Sequence, residues 1–214
     1  MSVTFADIHA ARVRLHDVLT ATPILPDELL SRQLGARVFV KAECAQRSGS
    51  FKVRGAYNKI SCLSPEERAR GVIAHSAGNH AQGVALAAQI FGIGATIVMP
   101  ERAPLTKVVA TRRFGAEVVL HGATFDDAGV RAREIQQERG LIYVHAFNDE
   151  QVIAGQGTIG IEMVDALRQP DVIVVPIGGG GLISGIAIAV RELLPKVRII
   201  GVQAAGCSAV KPSL

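Results

Sequence analysis

Tryptophan is absent, and aromatic residues together make up only 4% of the chain. Cysteine is nearly as scarce: Cys44, Cys62 and Cys207 stand far apart and form no Cys-x-x-Cys. Such an odd, scattered set excludes a disulfide framework and a thiolate zinc site. It reads as buried free thiols in a reducing compartment. No apolar run approaches the roughly 18 residues that a membrane span requires. The opening segment MSVTFADIHAARVRL carries Asp7 and alternates polar with apolar residues, the pattern of an amphipathic helix and not of a secretion signal. A basic block is missing too. Arg12, Arg14, Arg112, Arg113, Arg131 and Arg133 lie among Asp7, Asp17, Glu117, Asp126, Asp127 and Glu134, so the net charge of +4 is spread over solvated helix faces. These absences argue against nucleic-acid and membrane partners and lead us to expect a cytoplasmic protein.

What the chain does have is aliphatic residues and glycine. Hydrophobic residues make up 49% and charged residues 20%, with 22 glycines, a balance that excludes disorder and suits an α/β protein with tight turns. With 214 residues it is long enough for one ordinary domain or two small ones. Short apolar runs predict strands at 37–41, 71–75, 95–99, 117–120, 141–144, 171–176 and 197–202. Helical spacing predicts helices at 5–19, 27–33, 51–63, 79–91, 105–114, 125–139, 152–167 and 182–193. Thr22-Pro23 breaks the first of these helices, Gly35 ends the second, and Pro65 starts another. The alternation implies a parallel sheet. Periodicity accepts one doubly wound sheet as readily as two sub-domains. The run 197–202 reads as a central strand with no helix after it, either at a sheet edge or in a chain cut short.

Three strand-to-helix or loop-to-helix junctions carry chemistry. In SGSFKVRG (48–55), Lys52 falls where a Gly-Ser loop turns into a helix. A cation there opposes the helix dipole, and burial would lower its pKa and make the amine nucleophilic. On spacing alone a surface lysine is the plainer reading. In SAGNHAQG (76–83), the small residues Ser76, Ala77 and Gly78 would let an anion such as a carboxylate approach a helix N-terminus, and Asn79 adds a donor and an acceptor. A plain turn capped by Asn79 or Ser76 is the competing reading, and the two are compatible. His80 is expected to be a hydrogen-bonded structural histidine without a part in proton transfer. In GGGGLISG (178–185), four glycines between a buried strand and a helix suit a nest of N–H groups around a phosphate. The loop lacks the Lys-Ser/Thr of a P-loop and the acidic ribose contact of a dinucleotide fold.

Taken together and in this order, the three runs resemble the signature of fold-type II pyridoxal-phosphate (PLP) enzymes, and most closely the threonine/serine dehydratase family. TPI (22–24), VKAE (40–43) and VIAGQGT (152–158) extend the resemblance over essentially the whole chain. It implies the α/β, tryptophan-synthase-β-like PLP fold with two parallel-sheet sub-domains. The smaller would span 46–146. The larger would combine 1–45 with 147–214 and would be incomplete, because family members continue well past Leu214. The continuation would complete the larger sheet and supply the hydroxyl residue that faces the pyridine nitrogen.

The resemblance also implies roles. Lys52 would be the Schiff-base lysine and take the Cα proton. Phe51 would pack against the pyridine ring, and Asn79 would bond its phenolic oxygen. Gly178, Gly179, Gly180, Gly181 and Leu182 would hold the phosphate. Ser76, Ala77, Gly78, Asn79 and His80 would surround the substrate carboxylate, and Phe147 would line the side-chain pocket. The implied reaction converts L-threonine to 2-oxobutanoate, or L-serine to pyruvate, with release of ammonia. Related serine racemases carry a serine at the position of Ala77, so racemisation fits less well, as does β-replacement. Metal-activated relatives carry carboxylates at the positions of Gln203 and Ala209, so no metal is expected there. By family analogy the chain would form a homo-oligomer with a small amino-acid substrate. A chain that is catalytically silent is the alternative from another class.

Overall fold

The computed structural model describes residues 2–208 and Val210, so Ala209 lies outside the described residues. Helix α1 (Phe5–Leu15) opens on a reciprocal cap between Thr4 and Asp7, with Ile8, Ala11 and Leu15 on its buried face. It stops four residues before the predicted end, because Val18 and Leu19 turn onto a neighbouring hydrophobic cluster instead of continuing the helix. Strands β1 (Ile24–Pro26) and β2 (Phe39–Lys41) pair antiparallel around α2 (Glu28–Leu34), which Asp27 caps and Gly35 terminates in the left-handed region, at φ 60°. This antiparallel ribbon stands beside the expected parallel pairing, and its first strand, β1, is not among the predicted strands. Helix α3 (Lys52–Ser61) follows, and then α4 (Pro65–Arg70), which starts on a Ser64–Glu67 capping box.

From there strands and helices alternate: β3 (Val72–His75), α5 (Asn79–Phe91), β4 (Ala95–Met99), α6 (Leu105–Arg113), β5 (Glu117–Leu120), α7 (Phe125–Arg139) and β6 (Ile142–Tyr143). The four strands form a parallel sheet in the order β5-β4-β3-β6. Its pleat sorts the side chains. Val72, Ala74, Ile97 and Met99 pack with Ala81, Val84, Ala85 and Ala88 of α5, while Ile73 and Val98 face Ala128, Ala132 and Ile135 of α7. Because both faces are covered, β4 is buried along its whole length, which is why it reads in sequence as an unbroken apolar run.

The last elements are α8 (Glu150–Leu167), β7 (Val172–Pro176), α9 (Gly181–Leu193) and β8 (Arg198–Val202), with β7 and β8 parallel. Helix α8 begins two residues earlier than predicted, because Asp149 accepts the N–H groups of Gln151 and Val152. Among the described residues β8 pairs with β7 alone, and Val174 and Val202 are exposed, so 197–202 is not a central strand here. Helix α8 touches both α3 and α9 backbone to backbone. A methyl group added at Gly155 would stand 2.6 Å from the carbonyl oxygen of Arg54, and one at Gly185 would stand 2.4 Å from that of Ile153.

The cysteines depart from expectation. All three are exposed: Cys44 and Cys207 lie in short 3-10 turns that bury none of their residues, and Cys62 is the C-cap of α3. None of the described helices is long and apolar enough to cross a membrane.

Candidate active site

Lys52 is the first residue of α3, and its surroundings remove water from it. Helix α5 presses against its backbone so closely that a methyl group at Gly83 would lie 2.9 Å from the Lys52 carbonyl carbon. The ammonium donates to the carbonyl oxygen of Ala146 at 2.8 Å and sits 5.3 Å from the centre of the Phe51 ring. Burial without a carboxylate partner pulls its pKa down to about 8. The plainer sequence reading of a surface lysine therefore does not hold.

Two residues further on, Arg54 is 1% exposed and anchors a charge network that joins three distant segments. It donates from Nε and Nη2 to both carboxylate oxygens of Glu43, each at 2.8 Å, and from Nη1 and Nη2 to Glu162 of α8 at 2.5 and 2.9 Å. Lys41 adds a 2.5 Å bond to Glu162. Burial disfavours the Arg54 charge, but the bonds and charges of the two carboxylates outweigh it and raise the pKa. Burial likewise opposes ionisation of Glu162, and Arg54 and Lys41 reverse that. With two cations matched to two carboxylates, the cluster ties α3 to α8 and to the β2 segment.

The second run forms the turn from β3 into α5. Gly78 is the N-cap, and no side chain caps the helix. This corrects the expectation of an Asn79 or Ser76 cap: the Ser76 hydroxyl instead accepts the Gly78 N–H at 3.2 Å. The first-turn amides of α5 therefore remain open to an anion. Asn79 is exposed and accepts a 3.0 Å bond from Lys107 of α6. His80 turns away from this surface into the core, where its Nε2 pairs with the Val144 carbonyl at 2.9 Å. A carbonyl only accepts, so Nε2 carries the proton, and Nδ1 is left buried without a partner. Burial first, and the Lys52 charge second, lower its pKa to about 3 and keep it neutral, consistent with a structural histidine.

The third run forms the turn from β7 into α9. Gly180 is the N-cap at φ 88°, a backbone region that side chains avoid, and again no side chain caps the helix. Phe147 lies along the loop: a methyl group at Gly179 would collide with its ring at 2.3 Å, and one at Gly181 would meet its carbonyl oxygen at 2.8 Å. Methyl groups at Gly178 and Gly180 would meet nothing within 4 Å, so this part of the cradle is open.

The segment 145–147 links the first and third runs. Ala146 takes the Lys52 bond and Phe147 covers the glycines, while His145 Nδ1 accepts the N–H groups of Phe147 and Asn148 at 3.2 and 2.9 Å and fixes the segment. Phe51 and Leu182 add a second link by packing on one apolar cluster with Ile173, Val175 and Ile186. Sequence reasoning missed Ala146, His145, Lys107 and the Arg54 network. Only Arg54 left a signal, as a charge set between apolar residues on a packed helix. No group of His, Cys, Asp or Glu able to hold a metal occurs among the described residues.

A desolvated lysine, an uncapped helix start and an open glycine cradle can together hold a phosphorylated carbonyl compound and a carboxylate. Comparison with known proteins points the same way. The family model described as pyridoxal-phosphate dependent enzyme matches residues 15–214. The chain is 55% identical over 201 residues to the L-threonine ammonia-lyase of Thermotoga maritima, an alignment covering 94% of this chain and 50% of that protein. It is 46% identical to the catabolic L-threonine dehydratase of Escherichia coli over 95% of this chain and 62% of that protein. The solved structure of processed threonine deaminase isoform 2 from Solanum lycopersicum superposes with a TM-score of 0.88 at 44% identity, over 95% of this chain and 58% of that one. Maize serine racemase superposes at 0.91 with 37% identity, over 94% of this chain and 61% of that one. The chain thus spans about half to three fifths of the length of these relatives. Its core motifs, its α/β architecture and the match over residues 15–214 place it in one family: the chain belongs to the pyridoxal-phosphate dependent enzymes.

Proposed function

We propose that this chain carries the cofactor-holding part of a PLP-dependent lyase that converts L-threonine, L-serine or both to the 2-oxo acid and ammonia. The observation that carries the reading is Lys52: an amine at a helix start, desolvated to a pKa of about 8 and tied through 145–147 to an open glycine cradle. The residues fit the cofactor. Backbone N–H groups of Gly178, Gly179, Gly180, Gly181 and Leu182, at an uncapped helix start, suit its phosphate, Lys52 suits its aldehyde, and Phe51 and Asn79 would flank its ring. When bound, PLP supplies the electron sink that acidifies the substrate Cα–H bond.

The chain's own residues then do the following. Open amides at the start of α5, beside Ser76, Ala77 and Gly78, bind the substrate carboxylate. His80 contributes its backbone there, since its ring is buried. Lys52, whose pKa lies close to neutral pH, takes the Cα proton. Phe147 shields the loop from water and borders the substrate side chain. Ala77 has no proton to deliver on the opposite face, which favours elimination over racemisation. Overall, L-threonine gives 2-oxobutanoate and ammonia, the water lost in elimination being returned on hydrolysis. Under the same reading the protein is cytoplasmic and self-associates. Residues 46–146, which include the four-stranded sheet, form the smaller sub-domain, and 1–45 with 147–214 belong to the larger.

The test is to add PLP to the purified 214-residue chain, record its visible absorption, and assay oxo acid after adding L-threonine. A cofactor band absent from Lys52→Ala, together with 2-oxobutanoate release, is the expected result. Full dehydratase activity in Lys52→Ala would overturn the assignment. A folded chain with neither band nor product would favour the catalytically silent alternative.

A further inference from the structure

Lys107 has an unexpected position. It stands in the first turn of α6, a helix whose N-cap, Pro104, gives no side-chain capping bond, so its charge opposes the helix dipole. Its ammonium leaves its own helix and reaches 28 residues back to Asn79 at 3.0 Å. There it meets a second uncapped helix start, that of α5. Among the described residues it belongs to no ion pair. Placed beside two positive helix ends, its charge has no carboxylate partner among the described residues. The arrangement becomes favourable when an anion arrives.

The contact also fixes the direction of Asn79. An ammonium only donates, so the amide atom facing it is the oxygen, whichever way the two amide atoms would otherwise be assigned. The Nδ2 donors are left for something else. Asn79 lies one helical turn before Gly83, on the face of α5 that touches Lys52.

We infer that Lys107 is a positioning residue for Asn79: by occupying Oδ1 it makes Asn79 a hydrogen-bond donor to an anionic oxygen in the site. The inference rests on the site proposed above. The oxygen is either the cofactor's phenolic oxygen or the carboxylate of the amino acid, and the two sources are separable by experiment.

The test uses the 214-residue chain, Lys107→Met, Lys107→Arg, Asn79→Ala and the Lys107→Met/Asn79→Ala double variant. The first arm titrates each with PLP alone and follows absorbance. The second adds L-threonine to the loaded protein and reads KM against kcat. A thermal melt of the cofactor-free variants within a few degrees of the parent shows that the fold is kept. Loss of a charge-assisted bond is expected to weaken binding in one arm roughly tenfold in Lys107→Met, with arginine recovering most of it. A weaker PLP titration assigns the oxygen to the cofactor, and a raised KM alone assigns it to the substrate. In the Asn79→Ala background, Lys107→Met should change neither arm by more than about twofold, because the effect passes through Asn79. If Lys107→Met matches the parent in both arms, or if its effect persists without Asn79, the inference is overturned while the site reading stands. If the parent chain itself gives no PLP band that depends on Lys52, the site reading falls and this inference falls with it.

Discussion

The turns from β3 into α5 and from β7 into α9 do the same job with opposite materials. Both leave a parallel strand, both end on a glycine N-cap, and neither helix is capped by a side chain. Counted back from the caps, Ser76 and Ala77 stand where the other turn has Gly178 and Gly179. The first turn rises from a sheet covered on both faces, and its residues make side-chain bonds: Ser76 to Gly78, Asn79 to Lys107, His80 to Val144. The second rises from a two-stranded sheet with Val174 62% exposed, and it is bare backbone. What locates it is the contact of α9 with α8, and Phe147 lying over it. A turn decorated with side chains selects direction, as a carboxylate or ring oxygen demands. A turn stripped of them admits several N–H groups at once, as a phosphate demands.

If helix contacts rather than sheet pairing relate the two turns, breaking those contacts should have the largest effects. Arg54→Met removes a buried guanidinium and leaves the half-buried Glu43 with Thr22 and Glu162 with Lys41 as their remaining side-chain partners. We expect a loss of about 3–5 kcal/mol in urea unfolding. A loss below about 1 kcal/mol would mean that the network does not hold α3 to α8. Gly185→Ala comes next. Its methyl would meet the Ile153 carbonyl oxygen at 2.4 Å and the Gly157 nitrogen at 2.6 Å, backbone atoms that cannot swing aside. We expect about 3 kcal/mol, the upper end of overpacking costs. An unchanged midpoint would show that α9 can slide on α8.

These contacts also mark where the sequence was readable. Runs 79–91, 95–99, 117–120 and 125–139 are placed to the residue: 95–99 is a fully buried apolar strand, and both helices end on left-handed glycines, Gly92 and Gly140, that the sequence displays. The β1–β2 ribbon was harder: three residues, Ile24, Leu25 and Pro26, give no period, and their pairing is set by α2 between the strands. The three chemical runs were legible as a resemblance, and Lys52 in particular only that way, since spacing alone favoured an exposed lysine. Lys107 and Ala146 were not legible at all. A lone lysine in a helix and an alanine carbonyl acquire meaning only from what the fold brings against them. The exposed cysteines show the converse, a residue type whose usual burial is overruled by position in short turns and at a helix end.

The buried side of the first turn offers a test through pH. His80 is neutral in the fold with a pKa of about 3, while an unfolded histidine titrates near its model value of 6.5. The unfolded chain thus binds more protons between these values. The stabilisation is complete above pH 6.5 and is lost as pH falls toward 3. Between pH 6.5 and 4.5 this one group should cost roughly 2 kcal/mol. His80→Gln, whose amide can still donate to Val144, should flatten that part of the curve in urea titrations of the cofactor-free chain. An equal slope in both proteins would place the acid sensitivity elsewhere. The second turn has no counterpart to His80, so its variants should leave the slope unchanged.

The smallest expected effect on stability is the sharpest test of the comparison, because it gives the bare turn a side chain like that of the decorated one. Gly178→Ser puts a hydroxymethyl where Ser76 stands in the other turn. A methyl group at Gly178 meets nothing within 4 Å, and its backbone is not among the left-handed glycines, so the fold has no reason to object. Unfolding should change by no more than about 0.5 kcal/mol. The new group would nevertheless enter the open part of the cradle and could take up a loop N–H, as Ser76 takes the N–H of Gly78. A PLP titration should then weaken about tenfold, the equivalent of one lost charge-assisted bond. The reverse result, an unstable protein with intact affinity, would mean that the glycines serve the turn's own folding and that the anion is held elsewhere. Stability and affinity moving apart is what a loop kept bare for a ligand should show, since nothing in the free chain uses the space that Gly178 leaves.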